Sequence, residues 1–181
     1  MGMIITIAVI VIIVLYVIVT YNSFIKLRNW VGESWSQIDV QLKRRHDLIP
    51  NLVNTVKGYA KHESETLEKI VQARNQLVSG TPQERIDADN EIQGALKSVF
   101  ALQEAYPDLK ANQSFLDLQN ELTETENKVA YSRQLYNSTV ASYNIKRESF
   151  PSNIIASIFN FKKKELLAFP EAEREVPNVE F

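Results

Sequence analysis

The chain has no cysteine among its 181 residues, which removes disulfides, thiol catalysis, thiolate metal sites and lipid attachment to cysteine together. Glycine is scarce at five residues, and aromatic residues make up only 9%. No segment alternates apolar and polar residues with the period of two that a half-buried strand requires. Neither sign of charge dominates: 20 Lys and Arg face 22 Asp and Glu, so bulk electrostatics give no reason to expect nucleic acid as a partner. A nucleophile motif and a phosphate-cradling glycine loop are both missing.

What is present begins with an apolar run. Residues 1–25 carry no charged side chain, and residues 3–19 are apolar except for Thr6. About 20 such residues cross a bilayer core as a helix. Tyr16, Tyr21 and then Trp30 suit an interfacial aromatic belt. A cleavable signal peptide would have a basic start and a small-residue cleavage site, and this segment has neither. Residues 1–25 are therefore expected to be a retained anchor that contacts membrane lipid through residues 3–25. The opening MGMIIT fits the loose myristoylation pattern, which a spanning helix makes redundant. Lys26 and Arg28 follow the run at once while its N-terminal flank has no basic residue. The positive-inside rule then predicts an outer N-terminus and a cytoplasmic body.

From Leu27 the apolar residues step by threes and fours through Trp35, Leu42, Ile49, Val56, Leu67 and Leu77, a period close to the coiled-coil value. The stripe passes Pro50 without interruption. That pattern favours one long helix, kinked at Pro50 and ending at VSGTP, over a break at Pro50 with Asp47 as N-cap. Ser79-Gly80-Thr81-Pro82 is the strongest punctuation: Gly80 suits the left-handed position after a helix, Thr81 a cap, and Pro82 the first position of the next helix. A second helix is expected to reach Ala105 and a third to run from Asn112 to Glu148. A shorter amphipathic piece over residues 152–167 and an acidic, poorly ordered tail follow. The fold class is all-α, an N-terminal transmembrane helix followed by an antiparallel bundle of long coiled-coil-like helices. The divisions are 1–25 anchor, 26–161 helical bundle, and 162–181 basic cluster and tail.

Candidate chemistry in WSQIDVQLKRRHDLIPNLV, residues 35–53, reduces to architecture. His46 and His62, the two histidines, would stand about 24 Å apart on one helix, too far to share a metal. Adjacent His46 and Asp47 diverge around the helix by about 100°. No catalytic residue, metal ligand or cofactor is expected, and the protein is read as non-enzymatic. Arg45, Glu63 and Arg74 fall on the apolar stripe itself. Either they snorkel to the edge of the seam, or they form a polar layer with Asn127, Arg133, Asn137 and Asn144 of the third helix. Lys26, Arg28, Lys162, Lys163 and Lys164 are the lipid-facing basic candidates, each able to add about 1 kcal/mol of attraction to an anionic surface.

The segment YNSFIKLRNWVGESWSQIDVQLKRRHDLIPNLVNTVKGYAKHE, with LEKIVQAR after it and ENKVAYSRQLYNSTVASYNIKRESFPSNIIASIF later, resembles the LemA family of bacterial membrane proteins. The two blocks cover most of residues 21–161. The resemblance implies a single-pass protein of the bacterial inner membrane with a helical-bundle domain, and it brings no catalytic residues. A first helix reaching about 77 Å beyond the bilayer outruns partners of about 36 and 55 Å. The surplus stripe points to a homo-oligomeric scaffold. The alternative is an adaptor or regulatory module for another membrane protein, such as a protease or envelope enzyme.

Overall fold

A computed structural model of the chain describes residues 1–59 and 64–168. Six helices follow one another, α1 (Gly2–Lys57), α2 (Ser64–Gln76), α3 (Pro82–Ala105), α4 (Pro107–Lys110), α5 (Gln113–Glu148) and α6 (Ser152–Ile158), with no strand among the described residues. The all-α expectation holds. The bounds of α3 and α5 fall within a residue of those read from the sequence, because both are set by local capping and by the apolar period.

The start of α3 shows how local that coding is. Thr81 caps it, with the Glu84 N–H donating to Thr81 Oγ1 at 3.3 Å and the Thr81 N–H donating to Glu84 Oε2 at 2.7 Å. Gly80 stands at φ 95°, which only glycine adopts without strain. The Thr81 N–H and hydroxyl hold the Glu84 carboxyl below its usual range. A depressed acid contributes above its unfolded value, so the cap is complete at neutral pH and is lost as pH falls through the depressed value. Thr81→Ala is expected to cost about 1 kcal/mol, read as faster amide exchange in the first turn of α3.

The first helix departs from the sequence reading. It passes through Pro50 as a helix but ends at Lys57, some twenty residues before VSGTP. Helix α2 lies back along α1, since the Arg74 Nε–H donates to the His46 carbonyl at 2.8 Å, which one continuous helix would hold about 42 Å away. Periodicity could not see this, because α2 resumes the same three-four rhythm with Leu67, Ile70 and Leu77 buried. The stripe therefore has no surplus length. The piece expected over residues 152–167 is helical only to Ile158; Asn160 turns left-handed at φ 54° and an extended segment follows.

The chain divides into two compact units. One comprises Met1–Ser36 and Arg133–Leu166. Within it α5 runs antiparallel to α1, with Phe24 meeting Tyr143 and Trp35 meeting Tyr136, both with ring centroids 6.0 Å apart. Phe24 is fully buried and also stacks on Phe161 at 4.7 Å. The other comprises Gln37–Ser132 and the chain from Leu167. There α1, α2, α3 and α5 alternate in direction around Ile38, Leu42, Ile49, Leu52, Ile70, Ile86, Ile92 and Phe115, all fully buried. Each such aliphatic side chain contributes about 1.5–3 kcal/mol by leaving water.

The first part of α1 is different. It is long and apolar enough to cross a membrane, and none of its most apolar window is buried against the protein. Apolar surface left open over that length has the dimensions of a bilayer span.

Candidate functional site

Two groups of polar side chains stand out, one in each unit. The first is a buried layer. Arg45 is fully buried, and its Nη1 donates to Asp89 Oδ1 at 2.6 Å. Its Nε and Nη2 have no hydrogen-bond partner among the described residues. Four residues earlier on α3 and six earlier on α1, Arg85 pairs with Asp39 and donates its Nε–H to the Leu77 carbonyl at 2.7 Å. Desolvating these charges is expensive, so such a layer fixes which helices meet, and in what register, more than it stabilises them. The partner of Arg45 is thus Asp89 on α3, and not a polar residue of α5, where the sequence pattern places Asn127, Arg133, Asn137 and Asn144. The signal was there: Arg85, Asp89, Ile92 and Leu96 share one buried stripe of that helix.

Arg74 solves a different problem. Proline has no N–H, so Pro50 cannot donate to the carbonyl four residues before it, which is that of His46. The Arg74 guanidinium supplies the missing bond from α2. The proline is thereby tolerated, and it also leaves open the acceptor that docks the returning helix. Arg74→Ala is expected to cost about 1–3 kcal/mol by stranding that carbonyl. In a Pro50→Ala background the cost should fall sharply, because the helix then makes the bond itself. A denaturant-based double-mutant cycle measures the difference, and additive costs would refute the pairing.

The second group lines α5 and holds the extended chain after α6. Asn144 donates its Nδ2–H to the Lys164 carbonyl at 2.8 Å and accepts the Lys164 N–H on Oδ1 at 3.0 Å. It satisfies both backbone groups of that residue, as a neighbouring strand would. Tyr143 Oη donates to the Lys162 carbonyl and Arg147 Nε to the Phe161 carbonyl, each at 2.9 Å. The strap thus has its main chain facing α5, while Lys162 and Lys163 are exposed and Lys164 is half-buried. Burial pushes the Tyr143 hydroxyl above its ordinary range. A raised tyrosine favours its neutral form in the fold, so stability is full below the unfolded value of about 10 and declines as pH rises past it. Tyr143→Phe is expected to cost about 1 kcal/mol and to lessen the alkaline sensitivity, which Tyr136, also raised by burial, shares.

The remaining sequence candidates are spread over both units. Asn127 is exposed and Asn137 half-buried on α5, Arg133 is buried in the other unit from Arg45, and Lys26 and Arg28 are exposed on α1. Glu63 and His62 lie outside the described residues, as does the acidic tail from residue 169. His46 Nδ1 and Asp47 Oδ1 are 2.9 Å apart at the surface, and the imidazole holds the Asp47 carboxyl below its usual range. Among the described residues no three His, Asp or Glu side chains gather as a metal cage.

A helical bundle with an apolar leading helix is shared by unrelated proteins, so kinship rests on sequence. The LemA family model matches residues 34–181. The chain belongs to the LemA family. It is 29% identical over 158 residues to Protein LemA of Metamycoplasma hominis, covering 84% of this chain and 71% of that one. It is also 27% identical over 172 residues to Magnetosome protein MamQ 2 of Paramagnetospirillum magneticum. Magnetosome protein MamQ of Magnetospirillum gryphiswaldense is 24% identical over the same length. Each of these magnetosome matches covers 80% of this chain and 63% of the relative, so the chain spans less than two thirds of those proteins. With its open apolar helix, the chain is a membrane-associated protein of the LemA type.

Proposed function

We propose that this protein is a non-enzymatic scaffold of the bacterial inner membrane that self-associates through its helices, with the bundle on the cytoplasmic side. The observation that carries self-association is the outer face of α5. Leu135, Ser138, Ser142 and Ile145 recur there at three-four spacing and are exposed, Ile145 at 65%. Two apolar residues separated by small serines let a second helix approach closely. Because the stripe on α1 has no surplus length, it is this face, and not an overhang, that supports a second copy as partner. Lys26 and Arg28, exposed directly after the apolar run, support the orientation.

The test is the mass of the intact assembly in mild detergent, for the native chain and for Leu135→Glu with Ile145→Glu. A defined oligomer that the paired substitution dissolves is the expected result. A native monomer at micromolar concentration overturns the reading.

An adaptor for a different membrane protein is favoured by one feature, the presentation of Lys162 and Lys163 on a strap that Tyr143 and Asn144 hold through its backbone. Crosslinking in cells from that strap separates the two: a dominant heterologous product supports the adaptor, and self-products alone support the scaffold.

A further inference from the structure

Helix α6 is apolar on two sides. One side is spent on the core, through Ile155 and Ala156, both buried. The other carries Ile154 and Ile158, four residues apart and exposed at 50% and 67%, and Phe150, in the turn that leads into the helix, is exposed at 80%. Phe159 continues this surface at 45% exposure. A soluble bundle has no reason to point four large apolar side chains outward from one corner, and a contiguous patch of this kind marks an interaction site.

The position of that corner identifies what it meets. The Phe159 ring packs on Tyr21 with centroids 4.8 Å apart, and Phe161 packs on the same ring at 5.7 Å. Tyr21 lies two residues beyond the end of the apolar run at Val19, a rise of about 3 Å along the helix. Lys146 of α5 reaches Ser23 and stands 5.7 Å from the Phe24 ring, so the end of α5 is at the same height. The exposed face of α6 is therefore carried at the level where α1 leaves the hydrocarbon. Basic groups surround this level: Lys26, Arg28, Lys162 and Lys163 are exposed, and of the nearby acids Glu148 is paired with Lys163 at 3.0 Å.

We infer that α6 and the residues flanking it form a second membrane contact, in which Phe150, Ile154, Ile158 and Phe159 enter the headgroup boundary beside the spanning helix. Apolar side chains on a short element with basic neighbours are the composition of a segment that lies in the interface plane. The occupant is lipid, because the patch is continuous with the helix that is already there. The consequence is a unit fastened to the bilayer at two points, so that α5 is held upright by the corner that ends it instead of swinging about α1. This does not depend on self-association.

The absence of cysteine makes the test clean. Ile154→Cys, Ile158→Cys and, as a reference far along α1, Val40→Cys are each labelled with an environment-sensitive fluorophore in the full chain. The labelled chains are reconstituted into vesicles of phosphatidylethanolamine and phosphatidylglycerol. All three side chains are exposed, so the fold should tolerate them, as circular dichroism will verify. Quenching is compared between a nitroxide-bearing lipid and aqueous iodide. The expected result is lipid quenching at 154 and 158 several-fold stronger than at 40, with iodide excluded. Iodide quenching equal to that at 40 overturns the inference. Shielding of 154 and 158 from both quenchers overturns it as well, because a protein would then cover the face.

Discussion

Arg45→Ala is expected to destabilise the unit that contains it by about 3–5 kcal/mol, because it leaves Asp89 charged and buried without its guanidinium. The pair is almost wholly withdrawn from solvent, with side-chain exposures of 0% and 5% at a separation of 2.6 Å, so water cannot replace the lost partner. The measurement is denaturant unfolding followed by a probe in α3. A more telling variant is Arg45→Met combined with Asp89→Leu. Two of the Arg45 nitrogens have no partner among the described residues, so the native ion pair is an inefficient way to fill this space. The double variant should recover most of the loss, and it should do so with less exact helix register, seen as broadened amide resonances. Recovery of stability without loss of order would mean that the layer does not specify register. No recovery would mean that the charges stabilise outright.

The second large effect is expected at Phe24. Its ring is fully buried, stacked on Phe161 and edge-on to Tyr143, with the Lys146 ammonium above it. Phe24→Ala opens a cavity that the surrounding rings cannot close together, at a cost of about 3–5 kcal/mol. The loss is local in kind. Phe161 begins the strap, and the three carbonyls held by Arg147, Tyr143 and Asn144 depend on its staying in place. Amide exchange of residues 159–166 should therefore rise far more than that of the core around Ile49 and Ile86. Equal acceleration in both would show that the two compact units unfold as one.

These two predictions differ in how far the sequence alone could have led to them. Arg45 is legible as a charge on an apolar stripe, so a polar layer can be expected, but its partner lies 44 residues away on another helix, a separation that no local pattern reports. Phe24 reads as the end of the apolar run, and nothing near it announces a ring stack with residue 161. Asn144 is similar: its place near the seam was legible, while its backbone-like pairing with Lys164 required the chain to turn at Asn160 and run extended past it.

By itself the sequence determined what is decided within a helical turn or by the solvent. Hydropathy specified an N-terminal helix fit for a bilayer, the three-four period specified an all-α body, and Gly80, Thr81 and Pro82 specified where α3 begins. Each of these depends on groups at most four residues apart, or on transfer from water. The tertiary structure alone decided the reversal after Lys57, the pairing of Arg74 with the carbonyl that Pro50 leaves open, and the burial of Arg45 on Asp89. It also decided the capture of residues 161–165 by α5. All of these are meetings between residues far apart in the chain. A period that continues unbroken through a reversal cannot report it, because the same stripe is buried whether the helix runs on or folds back.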